Sequence, residues 1–212
     1  AAAIVCEKDL GLENQLLVPS TRVAWAHMCA NWFGNPARRL HLVGITGTNG
    51  KTTTSYLLKS ILEAAGHKVG LIGTIQNMIG DRVLPAGHTT PDPYDLQSMM
   101  ALMAAEGCSY AVMEVSSHAD YHKTMENYLA AKKRLFRQCD NAVVNIDDPW
   151  TEKLCKGLTC PIVRFSVGND TADYTARNIR QRPDGVDFEL VATGLIRRVR
   201  LNTPGAFSVY NA

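Results

Sequence analysis

The sequence predicts an α/β protein: a mostly parallel sheet with flanking helices and a phosphate-binding loop, plus a small antiparallel hairpin region. Three observations carry this. Short apolar runs of strand length alternate with stretches of helix length, the pattern of βαβ units. One such strand enters GITGTNGKTTT (44–54), where three glycines and a lysine precede a leucine-rich helix. Near the end, VDFELVATGLIRRVRLN (186–202) holds two alternating runs around Thr193-Gly194, as an antiparallel hairpin does.

Taken in order, residues 3–6 and 15–18 are short apolar runs. STRVAWAHMCANWFG reads as a helix capped by Ser20 or Thr21 and stopped by Gly34 and Pro36, and NPARR reads as a linker. HLVGITG (41–47) reads as a buried strand. Residues 51–65 read as a helix with Leu57, Leu58, Ile61, Leu62 and Ala65 on one face and Gly66 as its C-cap. KVGLIGTI is the next strand, and IQNMIGDRVLPA turns as a hairpin at Gly80-Asp81. Asp92-Pro93 opens a helix carrying Leu96, Met99, Met100 and Met103, ended by Gly107. SYAVMEVSS is a strand with a polar end. Residues 123–137 form a helix, 141–146 a strand, and Asp148-Pro149 starts a short helix. PGAFSVYNA looks like the opening of one more helix.

Composition excludes several classes. The 212 residues are 46% hydrophobic and 20% charged, with a net charge of +2, so nothing marks a nucleic-acid face or a polybasic membrane patch. No apolar run reaches the roughly 18 residues of a membrane span, and AAAIVCEKDL has no signal-peptide pattern. Six cysteines (Cys6, Cys29, Cys108, Cys139, Cys155, Cys160) are scattered without a CxxC pair, as expected of reduced thiols in a cytoplasm.

The chemistry sits first in the glycine-rich loop. Gly47 and Gly50 let backbone N–H groups turn inward, and the helix N-terminus adds partial positive charge. Lys51 would reach the β- and γ-phosphates, and the Thr52 hydroxyl would ligate Mg²⁺. The common pattern G-x-x-x-x-G-K-[ST] fails by one position, because Ile45 stands five before Gly50. A glycine-rich turn with a surface lysine is the plainer alternative, and strand, GKT and helix together argue against it. Glu114 lies at the polar C-terminal end of a strand, the edge where parallel sheets bind ligands. The residues alone leave open whether it is a solvated strand end or a metal ligand. Thr89 and Thr90 read plainly as residues that cap the following helix or start its turn. In the helix 123–137, Met125, Tyr128, Leu129 and Phe136 form an apolar stripe with Lys132 inside it. Such a lysine must snorkel, find a partner or lose its charge, and the residues alone favour snorkelling.

GTNGKTT, HTTPDP (88–93) and EVSSHA (114–119), followed by DYHKTMENYLAAKKRLF, VVNIDDP and PGAFSVYNA in the same order, resemble the Mur ligase family, in its MurE branch of UDP-N-acetylmuramoyl-dipeptide:amino-acid ligases. The resemblance covers residues 16–212. It implies ATP held by Gly47, Thr48, Asn49, Gly50, Lys51, Thr52 and Thr53, with Asn211 near the adenine. It implies that Thr89, Thr90 and Ser116 contact the UDP-MurNAc-dipeptide. It implies Mg²⁺ held by Thr52, Glu114 and Lys132, the last as a carbamate, with Lys51, Glu114 and Lys132 catalytic. His118 reads as a hydrogen-bonded structural histidine.

The expected reaction is amide ligation through an acyl phosphate, joining a free amino acid (meso-diaminopimelate or L-lysine) to UDP-MurNAc-L-Ala-D-Glu. The setting is peptidoglycan precursor synthesis, and with it cell-wall biogenesis, cell shape and division. The enzyme is expected to be a cytoplasmic monomer that binds no nucleic acid and does not insert in membranes. The alternatives are a sister Mur ligase or a folylpolyglutamate synthetase and, in another class, a truncated ATP-binding module without catalysis. By the same resemblance, residues 1–35 end an N-terminal UDP-substrate-binding domain, 36–212 are the central ATP-binding domain, and the C-terminal amino-acid-binding domain is absent after Ala212. Family members carry roughly two dozen more residues, with a TN…DH-type block bearing a metal-binding histidine, where Ala119 here runs straight into Asp120. His122 matches a later histidine and takes no metal role. The sequence therefore reads as part of a longer protein with segments closed up in the numbering.

Overall fold

A computed structural model of the chain describes residues 3–116 and 124–212. The chain divides into two compact units, one of residues 1–45 and 58–114 and the other of residues 46–57 and 115–212.

In the first unit, β1 (Ile4–Cys6) and β2 (Gln15–Leu17) pair in parallel. Helix α1 (Thr21–Trp32) starts at Ser20, whose hydroxyl accepts the Val23 N–H, and the chain leaves it through Gly34 at φ +70°. The expected linker is a 3-10 turn, Pro36–Arg39. The main sheet of this unit has five strands: β3 (His41–Ile45), β4 (Val69–Ile72), β5 (Asn77–Ile79), β6 (Arg82–Leu84) and β7 (Tyr110–Glu114). Their order is β3-β7-β4-β5-β6. The first three are parallel, and the β5–β6 hairpin adds two antiparallel pairings. Ile45 lies opposite Glu114 and Ile72 opposite Met113, so the three parallel strands end at one edge of the sheet.

Helix α3 (Pro93–Ala105) begins where Asp92 accepts the N–H groups of Tyr94 and Asp95, at 2.9 and 3.0 Å. Its Met100 and Met103 pack with Leu40, Ile72, Ile79, Cys108 and Ala111 as the core. Burying a methionine side chain there contributes about 1.5–3 kcal/mol. The packing is close enough that a Cβ at Gly70 would fall on the Met103 side chain.

Two sequence expectations need correction. The strand 41–47 is not buried: β3 is an edge strand with one neighbour, and Leu42 is 51% exposed. Helix α2 (Lys51–Ala64) exists as expected, but Ile61 on its predicted apolar face is 58% exposed. Its buried residues are Ser55 and Lys59. The Ser55 hydroxyl is satisfied by Thr52 O at 2.8 Å, and Lys59 by Glu63 at 2.5 Å. Polar groups thus sit inside because each has a local partner.

The second unit has its own five-stranded sheet: β8 (Ala142–Asn145), β9 (Ile162–Val167), β10 (Tyr174–Arg182), β11 (Gly185–Ala192) and β12 (Leu195–Leu201). The order is β12-β11-β10-β9-β8. β8, β9 and β10 are parallel, whereas β10, β11 and β12 are antiparallel. The parallel pairings read from the sequence are thus shared between two mixed sheets. The predicted hairpin is β11–β12, with Ala192 opposite Leu195 and Gly194 at φ +72°. Ala176, Val186, Phe188 and Val209 form the core beneath it, Val209 coming from α6 (Phe207–Asn211). Helix α4 (Met125–Phe136) is capped by the Thr124 hydroxyl. The short helix expected at Asp148-Pro149 is α5 (Thr151–Cys155), preceded by a turn in which Asp148 accepts the Trp150 N–H. Among the described residues no helix is long and apolar enough to cross a membrane.

Candidate functional site

In the second unit, residues 46–50 carry the chain from a strand into the first turn of α2. Gly50 has φ +80°, and a Cβ there would fall on Asn211 Oδ1. The turn therefore excludes side chains twice, by conformation and by space. Lys51 bends back so that Nζ donates to Gly47 O at 2.8 Å and to Thr48 O at 3.3 Å. Its charge rests against the carbonyls of its own loop. Thr52 and Thr53 are half-buried in the first helical turn, and Thr48 and Asn49 are exposed. The opening N–H groups of α2, a helix of 14 residues, are groups that could hold an anion.

Lys132 belongs to the same unit. It is half-buried, with Nζ 4.3 Å from the centre of the Tyr128 ring one turn earlier on α4. Of the outcomes open to an inward lysine, it takes a partner instead of snorkelling. Burial pushes the Tyr128 phenol up. Hydrogen bonds to Lys132 and the Thr48 side chain, with the charges of Lys132 and Lys51, outweigh that and hold it below the usual tyrosine range. The Met125 side chain lies outside the described residues, as do Ser117, His118, Ala119 and His122.

The first unit holds the carboxylate. Glu114 ends β7 and is 0% exposed. Thr74 donates to it twice, through its N–H to Oε1 at 3.3 Å and its hydroxyl to Oε2 at 2.9 Å. A Cβ at Gly73 would stand 2.5 Å from Glu114 Oε1, so only glycine lets the strand exit pass the carboxylate. Asn77 fixes that exit, accepting the Gly73 N–H at 3.2 Å and donating to Pro85 O at 3.1 Å. Thr89 Oγ1 lies 3.1 Å from Thr74 Oγ1, and the Thr90 hydroxyl donates to Glu114 O at 3.1 Å. The cap of α3 is Asp92, which leaves both threonines out of that role. Thr90 also opens on a cleft of about 580 Å³ lined by Arg22, Trp25, His88 and Gln97. Ser116 is half-buried two residues beyond Glu114, in the second unit.

The structure thus gathers the predicted residues into two groups. Lys51, Thr52, Lys132 and Asn211 belong to the second unit, and Glu114, Thr89 and Thr90 to the first. Thr74 and Tyr128 were not singled out by the sequence. Their signals were a Gly-Thr directly after a strand and an aromatic residue four before the inward lysine. Each unit offers oxygen donors of the kind that suits Mg²⁺, the Glu114 carboxylate in the first and the Thr52 hydroxyl in the second, whereas Lys132 offers none as an unmodified ammonium. Among the described residues no three His, Cys, Asp or Glu side chains gather as a metal centre.

The family model for the Mur ligase middle domain matches residues 45–119 and 116–212. The two matches overlap at residues 116–119, where EVSSHA runs into Asp120. A UDP-N-acetylmuramoyl-L-alanyl-D-glutamate–2,6-diaminopimelate ligase from Caldanaerobacter subterraneus subsp. tengcongensis is 39% identical over 240 residues, covering 100% of this chain and 50% of the relative. One from Clostridium acetobutylicum is 40% identical over 239 residues, covering 100% of the chain and 49% of the relative. Both alignments run longer than the 212 residues of the chain, as an internal gap requires. A solved structure of a UDP-N-acetylmuramoyl-L-alanyl-D-glutamate–2,6-diaminopimelate ligase superimposes with a TM-score of 0.85 at 27% identity, over 99% of this chain and 49% of that one. The chain spans about half the length of the curated relatives it matches. With the family model matched over most of its length and the loop, carboxylate and fold in place, the chain belongs to the Mur ligase family.

Proposed function

We propose that the full protein is an ATP-dependent amide ligase that adds a diamino acid to UDP-MurNAc-L-Ala-D-Glu in peptidoglycan precursor synthesis. The observation that carries this is the identity of 39–40% across the whole chain to ligases named for that reaction. Those names favour 2,6-diaminopimelate over L-lysine as the incoming amino acid. Residues 1–35 would end a UDP-substrate-binding domain and 36–212 form the ATP-binding domain, with the amino-acid-binding domain elsewhere in the full protein. A cytoplasmic monomer fits this reading.

The loop Gly47–Thr53 holds the triphosphate, its N–H groups and Lys51 facing the phosphate oxygens. Lys51 exchanges its two loop carbonyls for those oxygens, and Asn211 lies toward the adenine. A D-glutamyl carboxylate oxygen attacks the γ-phosphorus, and the bond to the β-phosphate oxygen breaks, giving an acyl phosphate and ADP. The amine then attacks the acyl carbon, phosphate leaves, and the amine's proton is lost as the amide forms. Lys51 offsets the charge that builds on the transferring group. Thr52, Glu114 and a carbamate on Lys132 are the residues we assign to Mg²⁺, which supplies further charge neutralisation when bound. Thr89, Thr90 and Ser116 orient the UDP-muramoyl dipeptide.

The test is ADP release by the full-length protein. We expect it to require UDP-MurNAc-L-Ala-D-Glu together with 2,6-diaminopimelate. Release only with L-lysine would reassign the amino acid. Release only with another muramoyl peptide or a folate would move the chain to a sister activity. ATP binding without any turnover would sink the ligase reading.

A further inference from the structure

We infer that Thr74 is a positioning residue that joins the carboxylate of Glu114 to the hydroxyl of Thr89 in one hydrogen-bonded chain. The inference rests on the reading above that Glu114 serves the metal and Thr89 the UDP-substrate.

A threonine hydroxyl has one proton and two lone pairs, whereas a carboxylate only accepts. Thr74 Oγ1 lies 2.9 Å from Glu114 Oε2 and 3.1 Å from Thr89 Oγ1. Its proton goes to the carboxylate, so the Thr89 hydroxyl donates to Thr74. The direction of the chain is thereby fixed: Thr89 to Thr74 to Glu114. The Thr74 N–H adds a second donor on Glu114 Oε1, and Gly73, without a Cβ, leaves the space that this oxygen occupies. Thr74 thus orients Glu114 through both its backbone and its side chain. Support of this kind sets ligand geometry at metal centres and is commonly worth about 10–100-fold in metal affinity or activity. The same hydroxyl orients Thr89, so its loss acts on two ligands at once.

The experiment uses Mn²⁺ in place of Mg²⁺, titrated by electron paramagnetic resonance into the full-length protein with ADP present. Thr74→Val keeps the shape and removes the hydroxyl. Thr74 is exposed while Glu114 is not, so the substitution does not crowd the core. We expect Thr74→Val to weaken Mn²⁺ by about 10-fold or more. We also expect it to raise KM for UDP-MurNAc-L-Ala-D-Glu while leaving KM for ATP in place. Thr74→Ser, which restores the hydroxyl, should return both quantities toward wild type. Equal Mn²⁺ affinity in wild type and Thr74→Val, or no Mn²⁺ binding by the wild type, overturns the inference. So does a Thr74→Ser protein as impaired as the valine variant, because the hydroxyl is then not the cause. If Thr74→Val does not fold, Thr74→Ser and Thr89→Val carry the same comparison. Thr89→Val should then raise KM for the UDP-substrate and leave Mn²⁺ affinity intact, and the opposite pattern overturns the inference. If the wild type releases no ADP with the muramoyl substrate, the ligase reading fails on its own, and the Mn²⁺ titration still answers for Thr74.

Discussion

The two groups of functional residues are built on opposite plans. In the first unit, Glu114 is sealed in and held by neutral donors that belong to the fold: the Thr74 N–H and hydroxyl. In the second unit, the cations lie against groups that a ligand can replace. Lys51 leans on the carbonyls of Gly47 and Thr48, and Lys132 lies over the Tyr128 ring. The carboxylate is ready before anything binds, and the lysines wait on substitutes. Preorganisation is placed where a buried charge would otherwise be costly, and adaptability where the proposed nucleotide would enter and leave.

The comparison is most severely broken at Lys51. Lys51→Ala should lower the rate of ADP release by about 10²–10³-fold, the scale for losing one donor to developing charge. Stability should barely change, since the lysine's present partners are loop carbonyls. A large fall in melting temperature would show instead that the lysine holds the loop together. Gly73→Ala attacks the other plan. Its Cβ would meet Glu114 Oε1 at 2.5 Å, and accommodating it should cost about 1–3 kcal/mol, read by denaturant unfolding, together with lost metal affinity. A fully stable variant with normal Mn²⁺ binding would mean that the carboxylate is not held as tightly as the structure has it. Tyr128→Phe keeps the ring under Lys132 and removes the phenol oxygen. A loss near 1 kcal/mol, roughly 5-fold in ATP affinity, is expected. An unchanged affinity would show that the ring alone places the lysine. Asn211→Ala should be the mildest, a decrease in ATP affinity of about 2–3-fold, by calorimetry, for losing one polar contact near the loop.

Much of this was legible because it is local. The loop, the Asp92 cap, the Gly80-Asp81 turn and the β11–β12 hairpin each rest on a few neighbouring residues with fixed chemistry. β10 was missed because its apolar pattern is weak, and β9 was passed over although IVRFSV is mostly apolar. β10 is mostly arginine, asparagine and glutamine, is largely exposed, and is interrupted by a bulge between Arg177 and Arg180 where Asn178 has φ +52°. The burial of α2 was misjudged for a related reason. Periodicity reports which residues are greasy, whereas Ser55 and Lys59 are inside because Thr52 O and Glu63 receive them. Thr74 was not singled out because a Gly-Thr after a strand does not name its partners, Glu114 and Thr89, which lie 40 and 15 residues away along the chain.

The contact between Gly50 and Asn211 has a consequence in time. The ribosome delivers the loop early, but the side chain that fills the space beside Gly50 comes from α6, after every strand of the second sheet has been made. A nascent chain can form the turn and still lack the wall that closes it. Competence to hold a nucleotide should therefore appear late in synthesis and all at once, when α6 docks, instead of growing with chain length.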